Sequence, residues 1–383
     1  MKIKQNLKEI TAIGSSNIVG TGATSFFWFY LASIISTEEY GEIFFYLGIA
    51  SIISAVVLFA NQNTITVYVA KKIHLQTTLY LISLCATSIA SIVLIIWFFR
   101  IDVGIVLIGY VLNTLAISEL LGKKYFTTYS KFFILQRGLV VLLGLGSFYV
   151  FGIDGILYAI GISYFVYIII VFRGLKNEKL NFSLLKQNIG FVSNNYSFGI
   201  IQITRSQIDK IIIPAVLGFS MLGNYALALQ IMVIMHMFPG IVYKFILPHD
   251  ATGNKNKKIK VITVLVSIAF ASGGIIFAPI IIPLLFPQFL ESITAIQIMS
   301  ITAIPVSITF ILTSKFLGME KSRYVLISRL ISLTIISTGM VVLGTYFGLV
   351  GLALTYLIAN TVDSIFLIIM NTVYHKKNIS NDS

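Results

Sequence analysis

Gln202-Ile203-Thr204-Arg205-Ser206-Gln207-Ile208-Asp209-Lys210 stands in the middle of an apolar run from about Phe191 to Leu217. A run of that length can cross a bilayer, since a spanning helix needs roughly 20 residues. Yet an arginine, an aspartate and a lysine lie near its centre. Each costs at least about 2.5–3.5 kcal/mol there, so ionisable groups inside a span are candidates for function. On a helical wheel Asn195, Gly199, Gln202, Arg205, Ser206, Asp209 and Lys210 fall within one arc of about 140°. Isoleucine, valine and phenylalanine fill the other side. The stretch predicts a membrane helix with one apolar face and one polar face that needs water, a ligand or partner side chains.

The rest of the chain fits that setting. Its 383 residues are 57% hydrophobic and 11% charged, against about 25% charged in soluble domains. This is the composition of an all-α, multi-pass membrane protein. The single cysteine, Cys85, lies in an apolar run and is expected to be a buried bystander; one cysteine excludes a disulfide framework and a cysteine metal cluster. The net charge of +13 does not point to nucleic acid, because the basic residues are distributed as topology signals. The first apolar run is itself a full span, which argues against a cleaved signal peptide.

Twelve spans are predicted, at roughly 11–35, 43–70, 77–99, 103–122, 130–150, 155–172, 191–217, 222–247, 261–283, 293–315, 325–346 and 350–372. Lysine and arginine concentrate in alternate connections, from Lys2, Lys4 and Lys8 through Lys71 and Lys72 to Lys376 and Lys377. Of the 27 lysines and arginines only Arg100 falls on the other side, apart from Arg205 and Lys210 inside the seventh span. The positive-inside rule then places both termini in the cytoplasm. Lys123, Lys124, Lys131 and Arg137 read mainly as interfacial topology determinants.

The longest cytoplasmic connection divides the chain into a lobe of six helices at 1–175, a linker at 176–190, a second lobe of six at 191–375 and a tail at 376–383. Short internal similarities support the division. Phe151-Gly152-Ile153-Asp154-Gly155 opens the sixth span and Phe347-Gly348-Leu349-Val350-Gly351 the twelfth; Tyr40-Gly41 after the first parallels Leu222-Gly223 after the seventh. Repeats of this kind are a transporter signature, with a substrate site near the midplane.

Arg205-Ser206-Gln207-Ile208-Asp209-Lys210-Ile211-Ile212-Ile213, followed by Leu217-Gly218 and Leu222-Gly223-Asn224-Tyr225-Ala226-Leu227-Ala228, resembles the seventh-to-eighth-span signature of polysaccharide biosynthesis flippases. Gly20-Thr21-Gly22, Glu38-Glu39-Tyr40-Gly41 and Val69-Ala70-Lys71-Lys72 resemble the first two spans of Wzx-type O-antigen flippases, within the multidrug/oligosaccharidyl-lipid/polysaccharide exporter superfamily. The resemblance implies two six-helix lobes around a central cavity and alternating access. It also implies a bacterial inner-membrane location, an oligosaccharide on an undecaprenyl pyrophosphate carrier as substrate, and a glycan polymerase as a pathway partner. It implies no cofactor.

Against that background Arg205 and Lys210 are candidates to attract an anionic headgroup, with Asp209 orienting Arg205 at the i, i+4 spacing; a structural Arg205–Asp209 pair locking two helices is the other reading. Gln202, Asn17, Asn61 and Gln62 offer amides to sugar hydroxyls, or serve as glue between helices. Lys244 can snorkel to the cytoplasmic interface or meet the pyrophosphate there. Asp363, Asp209 and His236 are the candidates for coupling to an ion; for Asp363 the competing role is pairing with a base on another helix, and for His236 packing beside Pro239. Glu119 is expected to pair with Lys123. Gly20, Gly22, Pro214 and Pro239 are candidate bends. No phosphate-binding loop, paired carboxylates or metal-ligand spacing points to an enzyme. The runner-up is an ion-coupled drug or small-molecule antiporter of the same superfamily, which should concentrate acids in its cavity.

Overall fold

The computed structural model describes residues 2–59, 62–176, 178–251, 256–319 and 321–381, with the backbone alone at 2–13, 244–245, 248–249, 251 and 375–381. Every regular element among them is helical. Lipid offers no water to backbone N–H and C=O groups, so an apolar run that crosses must bond them internally, as a helix does.

The first predicted span is α1 (Lys2–Ile34), which continues unbroken through Gly20 and Gly22 rather than bending there. The second is two helices, α2 (Thr37–Val57) and α3 (Gln62–Ala70). Then come α4 (Gln76–Phe98), α5 (Ile101–Gly122) and α6 (Phe126–Phe151). The sixth span joins α7 (Asp154–Ser163) to α8 (Ile168–Lys176) through one 3-10 turn, Tyr164–Tyr167. Short α9 (Phe182–Gln187) follows, its first turn capped by Asn181, which accepts from the Leu184 N–H at 2.8 Å.

The seventh span is divided. α10 (Ile189–Gln207) is followed, after Ile208, which keeps helical angles and whose carbonyl accepts from the Ile212 N–H at 3.0 Å, by α11 (Asp209–Leu217). Next are α12 (Phe219–Ala251), continuous through Pro239, and α13 (Lys257–Leu285). The tenth span is α14 (Ser292–Ser300) plus α15 (Ala303–Gly318); α16 (Ser322–Asn381) covers the last two, with one non-helical residue at Gly348.

Nine helical stretches among the described residues are long and apolar enough to cross a membrane. The difference from twelve lies in three places. α1 is not among the nine. The seventh predicted span is carried by a polar α10 and a nine-residue α11. The last two predicted spans run together as Ser322–Tyr374. Cys85, expected to be buried, is exposed on α4, on a helix whose apolar surface needs no cover in lipid.

The helices form two compact units, Met1–Trp28 with Tyr46–Gln207, and Phe29–Phe45 with Ile208–Ser383. In the first, α5 packs against α3, α4 and α7, and α6 against α7. In the second, α12 packs against α14 and α15, while α11 and α14 pack on α16. Part of that core is Leu312, Phe316, Val325 and Leu367.

The paired motifs behave alike in three dimensions. Gly152 has φ 67° and ψ −151° and Gly348 φ 57° and ψ −135°, so Phe-Gly-x-x-Gly makes the same positive-φ glycine turn in each unit, in a region essentially reserved for glycine that costs other residues about 1–3 kcal/mol. In the second unit the Tyr40-Gly41 and Leu222-Gly223 motifs meet. A Cβ on Gly41 would stand 2.0 Å from the Phe219 carbonyl oxygen, and one on Gly223 only 1.8 Å from that of Thr37. The Thr37 and Ser220 hydroxyls share a 2.7 Å hydrogen bond beside this contact. The start of α2 thus lies backbone to backbone on the start of α12.

Candidate functional site

Leu58, just after α2, and the first turn of α3 line a cavity of about 290 Å³ in the first unit. Gln62 and Asn63 enter it from the first turn of α3, Thr114 from α5, and Tyr196, Gly199 and Gln202 from α10. The last three fall on one helix face by their 3-residue spacing. Non-helical backbone at membrane depth is tolerated where it lines a cavity, and here one loose group is secured. The Tyr196 hydroxyl donates to the Val56 carbonyl at 2.7 Å, an acceptor in the last turn of α2 that its own helix leaves unbonded. The Tyr196 ring also contacts Phe59, with centroids 5.9 Å apart. The result is an aromatic wall facing amide donors and acceptors, the chemistry that matches sugar hydroxyls.

A larger hollow of about 820 Å³ runs along α6 and α7, lined by Leu142, Leu143, Val150, Phe151 and Ile162 among others. Ser147, Asp154 and Tyr158 are its polar residues. It has the character of a lipid-facing surface rather than of a site that reads a polar ligand.

The charged groups are arranged in pairs. Asp209 and Lys210 are both buried, with 3.7 Å between Oδ1 and Nζ. Arg329 on α16 holds Asp363 on the same long helix beyond its bend, and Asp363 is 1% exposed. Glu119 is buried beside Lys123 at 2.5 Å and also accepts from Tyr80 at 3.2 Å. Asp102 meets Arg100 at 2.8 Å. All four buried carboxylates among the described residues therefore have a basic partner. Removing one member of such a pair is far costlier than the pair's net worth.

This arrangement of helices is found in solved transporters. An inward-facing multidrug-resistance MATE family transporter of the MOP superfamily superposes with a TM-score of 0.76 at 13% identity, over 95% of this chain and 96% of that one. The lipid II flippase MurJ, in an inward closed conformation, gives 0.71 at 14% identity over 94% and 87%. A MOP superfamily transporter from Pyrococcus furiosus, described as having a binding pocket of reverse polarity, gives 0.62 at 14% over 96% and 95%. The chain has the MOP transporter fold. No family model matches the sequence, and no curated protein matches it closely enough to count as a relative.

Within the MOP fold the sequence candidates separate. Gln202 and Gln62 meet in the amide cavity. Asn17 does not; it lies within hydrogen-bonding reach of the Tyr129 hydroxyl on α6. Asp209 and Lys210 belong to the second unit and Arg205 to the first, so the single polar arc drawn on an unbroken wheel is shared between two environments. Arg205 is half-buried, whereas Lys210 is buried against Asp209 rather than presented to a ligand. Asp363 has the base from another span that was its alternative role. The Nε2 of His236 is buried without a hydrogen-bond partner among the described residues. Asn61 and the side chain of Lys244 lie outside the described residues.

Three features were missed. Thr114 and Tyr196 line the cavity, and the spacing of Tyr196 from Gly199 and Gln202 was the available signal. Arg137, expected at the interface, stands near the middle of α6, which begins at Phe126, a turn earlier than predicted, and its guanidinium lies over the Phe133 ring. Arg329, counted as a topology determinant, is the partner of Asp363.

Proposed function

We propose that this protein is a flippase that moves a lipid-linked oligosaccharide, of the undecaprenyl-pyrophosphate class, from the inner to the outer leaflet of a bacterial inner membrane. Both termini would face the cytoplasm, as the lysine and arginine distribution favours, and the glycan would feed O-antigen or another surface polysaccharide. The observation that carries this reading is the neutralisation of every buried carboxylate among the described residues by a base. A site for cationic drugs needs acids available to the ligand. Here the acids are taken, and the pocket offers amides and a tyrosine instead. The likeness to MurJ, a lipid II flippase by name, supports the same class.

An ion-coupled drug antiporter is the second reading. The higher TM-score to a multidrug-resistance MATE transporter favours it. The deciding experiment uses purified protein in proteoliposomes. One arm follows a labelled polyprenyl-diphosphate oligosaccharide becoming accessible to a lectin on the opposite face. The other follows uptake of a cationic dye under an imposed proton or sodium gradient. Lectin access that depends on the protein, without dye uptake, supports the flippase; the reverse result overturns it.

A further inference from the structure

The amide cavity of the first unit holds three side-chain carboxamides without a partner. Gln62 and Asn63 of α3 and Gln202 of α10 line it, and all three are exposed. None of these carboxamides makes a hydrogen bond among the described residues. Each offers two N–H donors and one carbonyl acceptor. They stand within the second and seventh predicted spans, where lipid satisfies no polar group, so water or a ligand has to meet them. The rest of the lining is apolar or already committed. The Tyr196 hydroxyl is bonded to the Val56 carbonyl at 2.7 Å, so Tyr196 presents its ring rather than a donor. The Thr114 hydroxyl donates to the Tyr110 carbonyl at 2.9 Å. Leu58 and Ile203 add aliphatic surface.

A pyranose ring is divided in the same way. Its C–H faces lie against aromatic and aliphatic carbon, and its rim of hydroxyls both donates and accepts. The volume of about 290 Å³ is at the small end of ligand sites, which run from about 300 to 1,000 Å³. That is room for one such ring and not for a repeat unit of several. Among the described residues no charged side chain lines the cavity, and Ala60 and Asn61, beside Gln62 in the chain, carry no charge either. Arg205, the only base of α10, stands one turn beyond Gln202 and is not part of the lining. A carboxylate entering this site gives up its water without gaining a base, which is far costlier than burying a hydroxyl that finds an amide. Rejection by an unpaired charge is a common source of selectivity.

We propose that this cavity selects one uncharged sugar ring of the glycan and excludes rings that carry a carboxylate, with Gln62, Asn63 and Gln202 reading the hydroxyls and Tyr196 a C–H face. The inference rests on the flippase reading and deepens it by naming the class of glycan carried: one whose docked sugar is neutral.

The test titrates the full-length protein in nanodiscs with polyprenyl-diphosphate probes in matched pairs, glucose against glucuronic acid and galactose against galacturonic acid, and with the same polyprenyl diphosphate bearing no sugar. Wild type binds the neutral member of at least one pair at least about tenfold more tightly than its acidic twin. Gln202→Lys and Gln62→Lys each place a base in the cavity and narrow that difference to about threefold or less. Gln62→Ala weakens the neutral probe severalfold and leaves the sugar-free probe unchanged, a split that a merely structural role would not produce. Each variant's unliganded melting temperature shows whether it is folded; Gln62→Lys carries the test if Gln202→Lys is not. Equal binding within both pairs by wild type, neutral probes bound no better than the sugar-free one, or folded lysine variants that keep the full difference overturn the inference. Transport of neutral and acidic glycolipids at the same rate in proteoliposomes would overturn the selectivity and leave the flippase standing. Selective binding of a neutral probe without transport of any would keep the site and sink the flippase.

Discussion

Gly223→Ala adds one methyl group where there is no space. Its Cβ would lie 1.8 Å from the Thr37 carbonyl oxygen and 2.7 Å from the carbonyl carbon. A relaxed carbon–oxygen contact is about 3.3–3.6 Å, so the start of α2 and the start of α12 must separate by about 1.5 Å. Neither atom is the end of a flexible side chain, so no rotamer change relieves the overlap. Overpacking of this kind costs about 1–3 kcal/mol, set against a gain of about 0.8–1 kcal/mol from replacing glycine by alanine inside a helix. Gly240 is the matched control on the same helix, because a Cβ there meets nothing within 4 Å. Gly240→Ala therefore keeps only the gain. Reversible unfolding in mixed micelles, followed by circular dichroism, should place Gly223→Ala about 1–3 kcal/mol below Gly240→Ala. Gly41→Ala should fall with it, and the double variant Gly41→Ala/Gly223→Ala should lose less than the sum, since both open one junction. Equal stabilities for the alanines at 223 and 240 would refute the backbone contact.

Other consequences follow from the ion pairs, the cavity and the turns. Asp363→Asn and Arg329→Gln should each destabilise the fold by about 3–5 kcal/mol, and the double apolar variant Arg329→Met/Asp363→Leu should recover most of that loss in the same unfolding assay. Tyr196→Phe removes the bond to the Val56 carbonyl and should cost about 0.5–1.5 kcal/mol. Gln62→Ala and Gln202→Ala should leave the melting temperature unchanged and slow glycolipid transport about 2- to 10-fold each, at about one hydrogen bond apiece; wild-type rates from both would remove the amide cavity from the transport path. Gly152→Ala and Gly348→Ala should each lose about 1–3 kcal/mol because both positions combine positive φ with strongly negative ψ.

The helical class and the membrane setting were legible because hydropathy is a one-dimensional signal and lipid permits few alternatives. The two Phe-Gly-x-x-Gly motifs were legible as a repeat because glycine is required at a positive-φ turn, and Gly152 and Gly348 adopt that turn alike. What separates Gln202 and Arg205 from Asp209 and Lys210, which a wheel places on one arc, was not visible: Ile208 keeps helical angles, and the residues differ in what packs on them, Asp209 and Lys210 being buried, Arg205 half-buried and Gln202 exposed. Gln62 and Gln202 were recognisable as amides in apolar runs, but their convergence on one cavity depends on how α3 meets α10. Nor did the residue types show that α6 begins a turn early, which places Arg137 near the middle of that helix with its guanidinium over the Phe133 ring.

The flippase reading is tested most directly in the native host with the gene deleted and complemented from plasmids, by measuring undecaprenyl-linked oligosaccharide on each leaflet. The account predicts that the glycolipid accumulates on the cytoplasmic face in the deletion strain. Wild type should clear it, while membrane-inserted Gln202→Ala and Arg205→Ala should clear it more slowly. An unchanged leaflet distribution in the deletion strain would contradict the account and favour the antiporter.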